Sequence, residues 1–230
     1  MTGNTGEVRV WDPFIRVFHW SLVVLFTVAY LTGEESDALH EWSGYAILVL
    51  VGARIVWGLV GSRHARFSDF LRGPSVAFGY LKGLVTGNAR NYLGHNPAAG
   101  WMVIALLLSV LITAGSGVVV LGLEGDGPLA GRIDAHSWLV TSVASVGGGE
   151  DEEHERGGYE ADEVGETYAA EAPDGEGAES GEEAWEEIHE FFANFTIFLI
   201  VLHLLGVLAS SIAHRENLVR AMFTGRKRAV

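Results

Sequence analysis

Four stretches of this 230-residue chain are long and apolar enough to cross a lipid bilayer, and that pattern excludes most of the ways it could fold. A hydrocarbon core about 30 Å thick takes roughly 20 apolar residues of helix. The stretches run from about Phe14 to Leu31, Leu39 to Val60, Ala98 to Leu121 and Ile188 to Ile212. Inside hydrocarbon every backbone N–H and C=O has to be satisfied within the protein, which leaves helices or closed barrels. Runs of this length select helices. The expected fold is therefore all-α, an integral membrane four-helix bundle. It is read as one domain: residues 1–123 hold the first three spans, 124–187 an acidic loop, and 188–230 the fourth span and a tail. Met1 to Val10 is polar, and the first span follows a Trp11-Asp12-Pro13 turn rather than a basic leader with a small-residue cleavage site. No signal peptide is expected.

The charge is local. The chain has a net charge of −14, but residues 150–190 hold 18 Asp and Glu against the single Arg156, which leaves +3 on the remainder. The connection between the second and third spans carries Arg63, Arg66, Arg72, Lys82 and Arg90. The tail carries Arg215, Arg220, Arg226, Lys227 and Arg228, and the N-terminal arm carries Arg9 and Arg16. The 1–2 connection has only Glu34, Glu35 and Asp37, and the 3–4 connection is the acidic loop. Basic short loops stay in the cytoplasm, so both termini are expected there, in a bacterial inner (cytoplasmic) membrane, with the acidic loop outside. That loop is rich in Glu, Gly, Asp and Ala, the composition of a solvated, partly disordered segment. Within it, Ile133 to Val146 is apolar enough to lie on the membrane surface or pack on the bundle. Membrane lipid is an expected partner; nucleic acid is not. The chain has no cysteine, which excludes disulfides, iron–sulfur clusters, zinc thiolate sites and covalent haem attachment through C-x-x-C-H.

Ionisable residues inside spans mark function, and here they are histidines. His19 lies about one turn inside the cytoplasmic start of the first span. His40 and His189 begin spans that descend from the outer side. His203 follows His189 by 14 residues, nearly four turns, so the two point from one face roughly 21 Å apart. The depths therefore pair His40 with His189 near the outer surface and His19 with His203 toward the cytoplasm. Two imidazoles facing each other from two helices are what the iron of a b-type haem takes. Two such levels imply two haem b groups stacked across the membrane. The alternative is four histidines hydrogen-bonded to neighbouring helices, and four at matched depths favour the cofactor. A single zinc site would require the levels to meet.

Gly44, four residues after His40, and Gly206, three after His203, suit a flat macrocycle, and equally suit ordinary helix contact. Gly52, Gly58 and Gly115 also lie in the spans. Arg54, 14 residues after His40, shares its face at the inner level, where it would meet a haem propionate or snorkel to headgroups. His64, His95, His136, His154 and His214 fall in loops or at helix ends and read as solvated, with His95 (in Gly94-His95-Asn96-Pro97) and His136 kept as candidates.

On these residues the chain resembles the bacterial four-helix di-haem cytochrome b family, which includes the cytochrome b subunits of nickel–iron hydrogenases. The matching pieces are VWDPFIRVFHW (10–20), LHEWSGY (39–45), RIVWGLVGSRHARFSDF (54–70), YLGHNPAAG (92–100) and EEIHEFFANFTIFLIVLHLLGV (186–207). The resemblance implies haem ligands at the positions of His19, His40, His189 and His203, as the depths do. It implies an electron-transfer subunit linking a periplasmic redox protein to the quinone pool. That partner would be a hydrogenase-like subunit or, given the acidic loop, a basic c-type cytochrome. The acidic loop is longer and more acidic than the family pattern. Some relatives are superoxide:quinone oxidoreductases acting at the outer haem, but an anionic substrate suits a positive funnel rather than this loop.

Overall fold

A computed structural model describes residues 6–33, 37–133, 142–143 and 176–228. The elements in chain order are β1 (Glu7–Arg9), α1 (Pro13–Thr32), α2 (Asp37–Val60), a 3-10 turn (Arg63–Ala65), α3 (Phe67–Phe70), α4 (Pro74–Val85), α5 (Pro97–Leu123), a 3-10 turn (Gly127–Leu129), α6 (Glu176–His214), α7 (Leu218–Thr224) and β2 (Arg226–Arg228). They form two compact units, Met1–Gly115 with Phe191–Val230, and Ser116–Glu190. The predicted apolar segment Ile133 to Val146 and the acidic stretch after it lie outside the described residues, apart from Ile133, Ser142 and Val143.

Four helices have the length and hydropathy to span a membrane: Pro13–Thr32, Ala38–Val60, Pro97–Leu123 and Gly181–His214. In the first unit they pack as a bundle. Phe18 and Phe26 of α1, Ile47 and Val51 of α2, and Leu107 and Val110 of α5 form its core, with Ile197 and Ile200 of α6 packed against them. The outward residues are no less apolar. Val24, Leu31, Val49, Val56, Leu204 and Ile212 are all exposed. In water such a belt would be an aggregation hazard; in a bilayer it is the lipid-facing surface. Polar groups pair between helices instead. The Ser109 and Thr196 hydroxyls, both buried, hydrogen-bond across α5 and α6 at 2.7 Å. Tyr30 Oη donates to Asn194 Oδ1 at 3.1 Å between α1 and α6. Such pairs hold helices together where burial of apolar surface gives no net drive.

The end of the bundle that carries both termini is tied off by one carboxylate. Asp12 caps α1, accepting from Ile15 N at 2.9 Å, with Pro13 at the first helical position where its missing N–H costs nothing. Its other oxygen accepts from Trp57 Nε1 at 3.0 Å on α2 and from the Ser62 hydroxyl beyond it. Burial pushes the Asp12 carboxyl up, but the bonds from Ser62, Ile15 and Trp57 outweigh that and hold it below the usual carboxylate range. Around it Val10, Trp11, Ile15, Ala65 and Ala221 make a second small core. Gly225 closes α7 with φ 75°, and its carbonyl accepts from Val10 N at 2.8 Å and Trp11 N at 3.1 Å. A Cβ there would run into the Trp11 carbonyl, so only glycine fits. β1 and β2 then pair antiparallel, Val8 opposite Lys227, which brings both ends of the chain to one face.

The structure corrects the sequence reading in two places. The fourth helix begins at Glu176, not near Ile188, so the end of the segment assigned to an acidic loop is helical. Glu and Ala are strong helix formers, and acidic residues are favoured in a first turn by the helix dipole. His189 is therefore the fourteenth residue of its helix rather than its start. The 2–3 connection, read as a basic loop, contains α3 and α4.

Asp12→Ala is expected to cost about 1–3 kcal/mol of stability by removing the cap and the Trp57 and Ser62 bonds. Because the folded carboxyl titrates below 3.8, the wild-type advantage is present above about pH 4 and shrinks as pH falls through the depressed value. Melting curves of both proteins in detergent across this pH range check it.

Candidate functional site

Each intramembrane histidine is placed by its helix. His19 sits two turns into α1, next to Trp20, whose ring meets it edge-on at 5.0 Å between centroids. Its Nδ1 is buried and has no hydrogen-bond partner among the described residues. His203 of α6 lies within electrostatic range of His19. Both residues belong to the first unit.

His40, near the start of α2, hydrogen-bonds through Nδ1 to the Ala29 carbonyl of α1 at 2.9 Å. A carbonyl only accepts, so Nδ1 carries a proton in this bond. His189 belongs to the second unit. There its Nδ1 lies 3.3 Å from the Ser116 hydroxyl, and the ring rests against the backbone of Gly117, where a Cβ would come within 2.9 Å of Cε1. His40 and His189 fall in different units, and each is held from its own side by α1 or α5.

Arg54 is buried at 3% exposure. One guanidinium nitrogen, Nη2, donates to the Ala65 carbonyl at 3.1 Å, and the group stacks 4.9 Å from the centre of the Phe67 ring. Nη1 is buried with no partner among the described residues. Gly58 makes the Phe67 position possible, since a Cβ there would collide with that ring. The Asp12 carboxylate lies within electrostatic range, and the idle donor leaves Arg54 able to meet a further anionic group.

His95 is better integrated than its loop position suggests. Its ring lies between Trp11 and Phe70 at 4.5 and 4.6 Å between centroids, with Nδ1 buried and unpartnered among the described residues. Burial and the neighbouring Arg54, His203, Lys227 and His64 push its pKa down to about 3, so it is neutral at physiological pH. The Gly94-His95-Asn96-Pro97 run explains itself locally. Asn96 Oδ1 caps α5 by accepting from Ala99 N at 2.8 Å, Pro97 opens the helix, and Gly94 leaves room for the His64 ring. The signal that could have raised His95 was its place directly before a capped span, close in depth to Arg54 and His203. His64 bonds Asp69 Oδ2 at 3.0 Å and His214 bonds the Tyr80 hydroxyl at 3.2 Å, so both have local roles. His136 and His154 lie outside the described residues.

Whether these residues suit a haem turns on two observations. Buried polar atoms at His19 and Arg54 lack protein partners, and Cβ atoms built at Gly44, Gly52, Gly115 and Gly206 meet no described atom within 4 Å. An unpartnered imidazole nitrogen at His19, an idle guanidinium donor at Arg54 and bare helix backbone are a donor set that fits a propionate-bearing macrocycle. The model of the prokaryotic cytochrome b561 family matches residues 10–225. The chain belongs to that family. It is accordingly a multi-pass membrane cytochrome b, binding haem b and serving electron transfer. No solved structure matches it significantly.

Gly58→Ala is expected to push Phe67 from under Arg54 and destabilise this cytochrome by about 1–3 kcal/mol. Gly79→Ala, whose added Cβ meets nothing, should not destabilise it. Detergent melting temperatures of the two variants test the difference.

Proposed function

We propose that this chain is a di-haem cytochrome b carrying electrons between a periplasmic redox protein and the quinone pool. The observation that carries this reading is the buried, unpartnered Nδ1 of His19 on α1, with His203 of α6 within electrostatic range. His19 and His203 hold the inner haem iron, and His40 and His189 the outer one. Arg54 pairs a propionate of the inner group through its idle Nη1, and Gly44 and Gly206 leave the helix faces bare beside their histidines. Bound haem b supplies reversible one-electron chemistry. The protein supplies ligands, a low dielectric and fixed spacing.

The basic residues of the 2–3 connection and of both chain ends favour a cytoplasmic location for that face in a bacterial inner membrane. The acidic 3–4 connection then faces the periplasm, where it suits a basic partner such as a c-type cytochrome or a hydrogenase-like subunit, drawn in by steering that weakens with salt. Superoxide is a poorer fit. In the unit that holds His189, oxygens of Glu124, Glu182 and Glu186 lie within 4.8 Å of one another, a field that repels an anionic substrate.

A reduced-minus-oxidised spectrum with a pyridine haemochrome count tests the assignment. Two b haems per chain are expected, falling to one in His203→Ala and to a spectrally different one in His40→Ala. Arg54→Gln is expected to keep both and lower the midpoint potential of one. One haem in the wild type, or a count unchanged in both histidine variants, would overturn the paired ligation.

A further inference from the structure

We propose that the face carrying both chain ends holds a specific anionic phospholipid, gripped by its phosphate between Arg215 and Arg220. A cavity of about 570 Å³ opens there, lined by Glu7, Arg215, Glu216, Arg220, Arg226 and Lys227 among others. Its charges are not equivalent. Lys227 is tied to Glu216 at 3.3 Å and also donates to the Tyr92 carbonyl at 2.8 Å. Arg226 pairs with Glu7 at 3.5 Å. Arg215 and Arg220 form no ion pair among the described residues, so the cavity presents two unmatched guanidinium groups, the geometry that suits phosphate oxygens.

Arg215 also occupies an unusual backbone. It ends α6 with φ 52°, the left-handed conformation that a helix terminus normally gives to glycine or asparagine. An arginine there accepts strain, which is understandable if its side chain has work to do in the cavity it lines.

The neighbourhood identifies the anion as a lipid. α6 is a membrane span that ends at His214, and the cavity begins at the next residue. Beside it α7 exposes Val219 at 53% and Phe223 at 59%, one turn apart on one face, with Phe223 stacked on Trp20 at 4.2 Å. Val219 and Phe223 lie outside the cavity lining, on the same short helix as Arg220; exposed apolar side chains beside a cationic cavity, at the end of a span, match acyl chains below a phosphate. A soluble phosphate would have no use for those side chains. The inference rests on the membrane reading and is independent of how the haems are ligated.

The test uses detergent-purified holoprotein titrated with phosphatidylglycerol or phosphatidylcholine and followed by native mass spectrometry. Saturable binding of phosphatidylglycerol alone is expected. The Arg215→Gln/Arg220→Gln pair should weaken it at least about tenfold with the visible haem spectrum unchanged, and Val219→Ser/Phe223→Ser should weaken it as well. Arg63→Gln/Arg90→Gln, exposed cations outside the cavity, should leave it intact. Equal losses in the two arginine pairs would mean diffuse charge attraction and overturn the site. Displacement of phosphatidylglycerol by millimolar inorganic phosphate, with no effect of the Val219 and Phe223 changes, would make it a soluble-anion site and overturn the lipid assignment.

Discussion

Hydrocarbon offers no hydrogen-bond partner, and the structure follows from that constraint. It makes the spans helical, because only a helix satisfies its own backbone within one segment. It also decides how polar side chains are used. Ser109 pairs with Thr196 and Tyr30 with Asn194 between helices, while Val24, Leu31, Leu204 and other apolar side chains face out. The same constraint gives weight to the exceptions. A buried imidazole nitrogen on His19 and a buried guanidinium nitrogen on Arg54, both without protein partners, are costly where nothing else can bond them. They are understandable in a protein built around groups that come from outside the chain.

The functional side chains are held by contacts remote from them in sequence. Arg54 is placed by Ala65 and Phe67, Phe67 by the gap at Gly58, and that segment by Ser62 and Trp57 through Asp12. Asp12 also starts the helix that carries His19 two turns later. The Trp11-Asp12-Pro13 motif thus fixes the entry of α1 and the exit of α2 in one step. His95 joins the same assembly through Trp11 and Phe70.

Hydropathy made the spans legible, and the first three came within a residue or two because each is bounded by proline, glycine or charge. The start of α6 was not, because an acidic, glycine-containing composition reads as solvated loop even where Glu and Ala carry a helix onward. Helical arithmetic gave a level for His19 and His203, and both lie in the first unit. How His40 and His189 are each held was not, since Ala29 and Ser116 are ordinary residues until the helices pack. His95 was kept as a candidate without a role, as a loop histidine gives no sign in sequence that Trp11 will close over it. The β1–β2 ribbon was out of reach altogether: strands of three residues carry no period, and only their partners define them.

The ribbon has a bearing on how the protein is made. Val10 and Trp11 find their partner in Gly225, and Glu7 to Arg9 theirs in Arg226 to Arg228. Helices enter the membrane one after another as the ribosome proceeds, yet this clasp joins a segment before the first span to one that follows the fourth. It cannot close until residues 225–228 have emerged, so α1 and α2 enter the membrane with that end unlatched and stay so while α5 and α6 follow them. The ribbon thus makes the final seating of the first helix wait on the arrival of the fourth span.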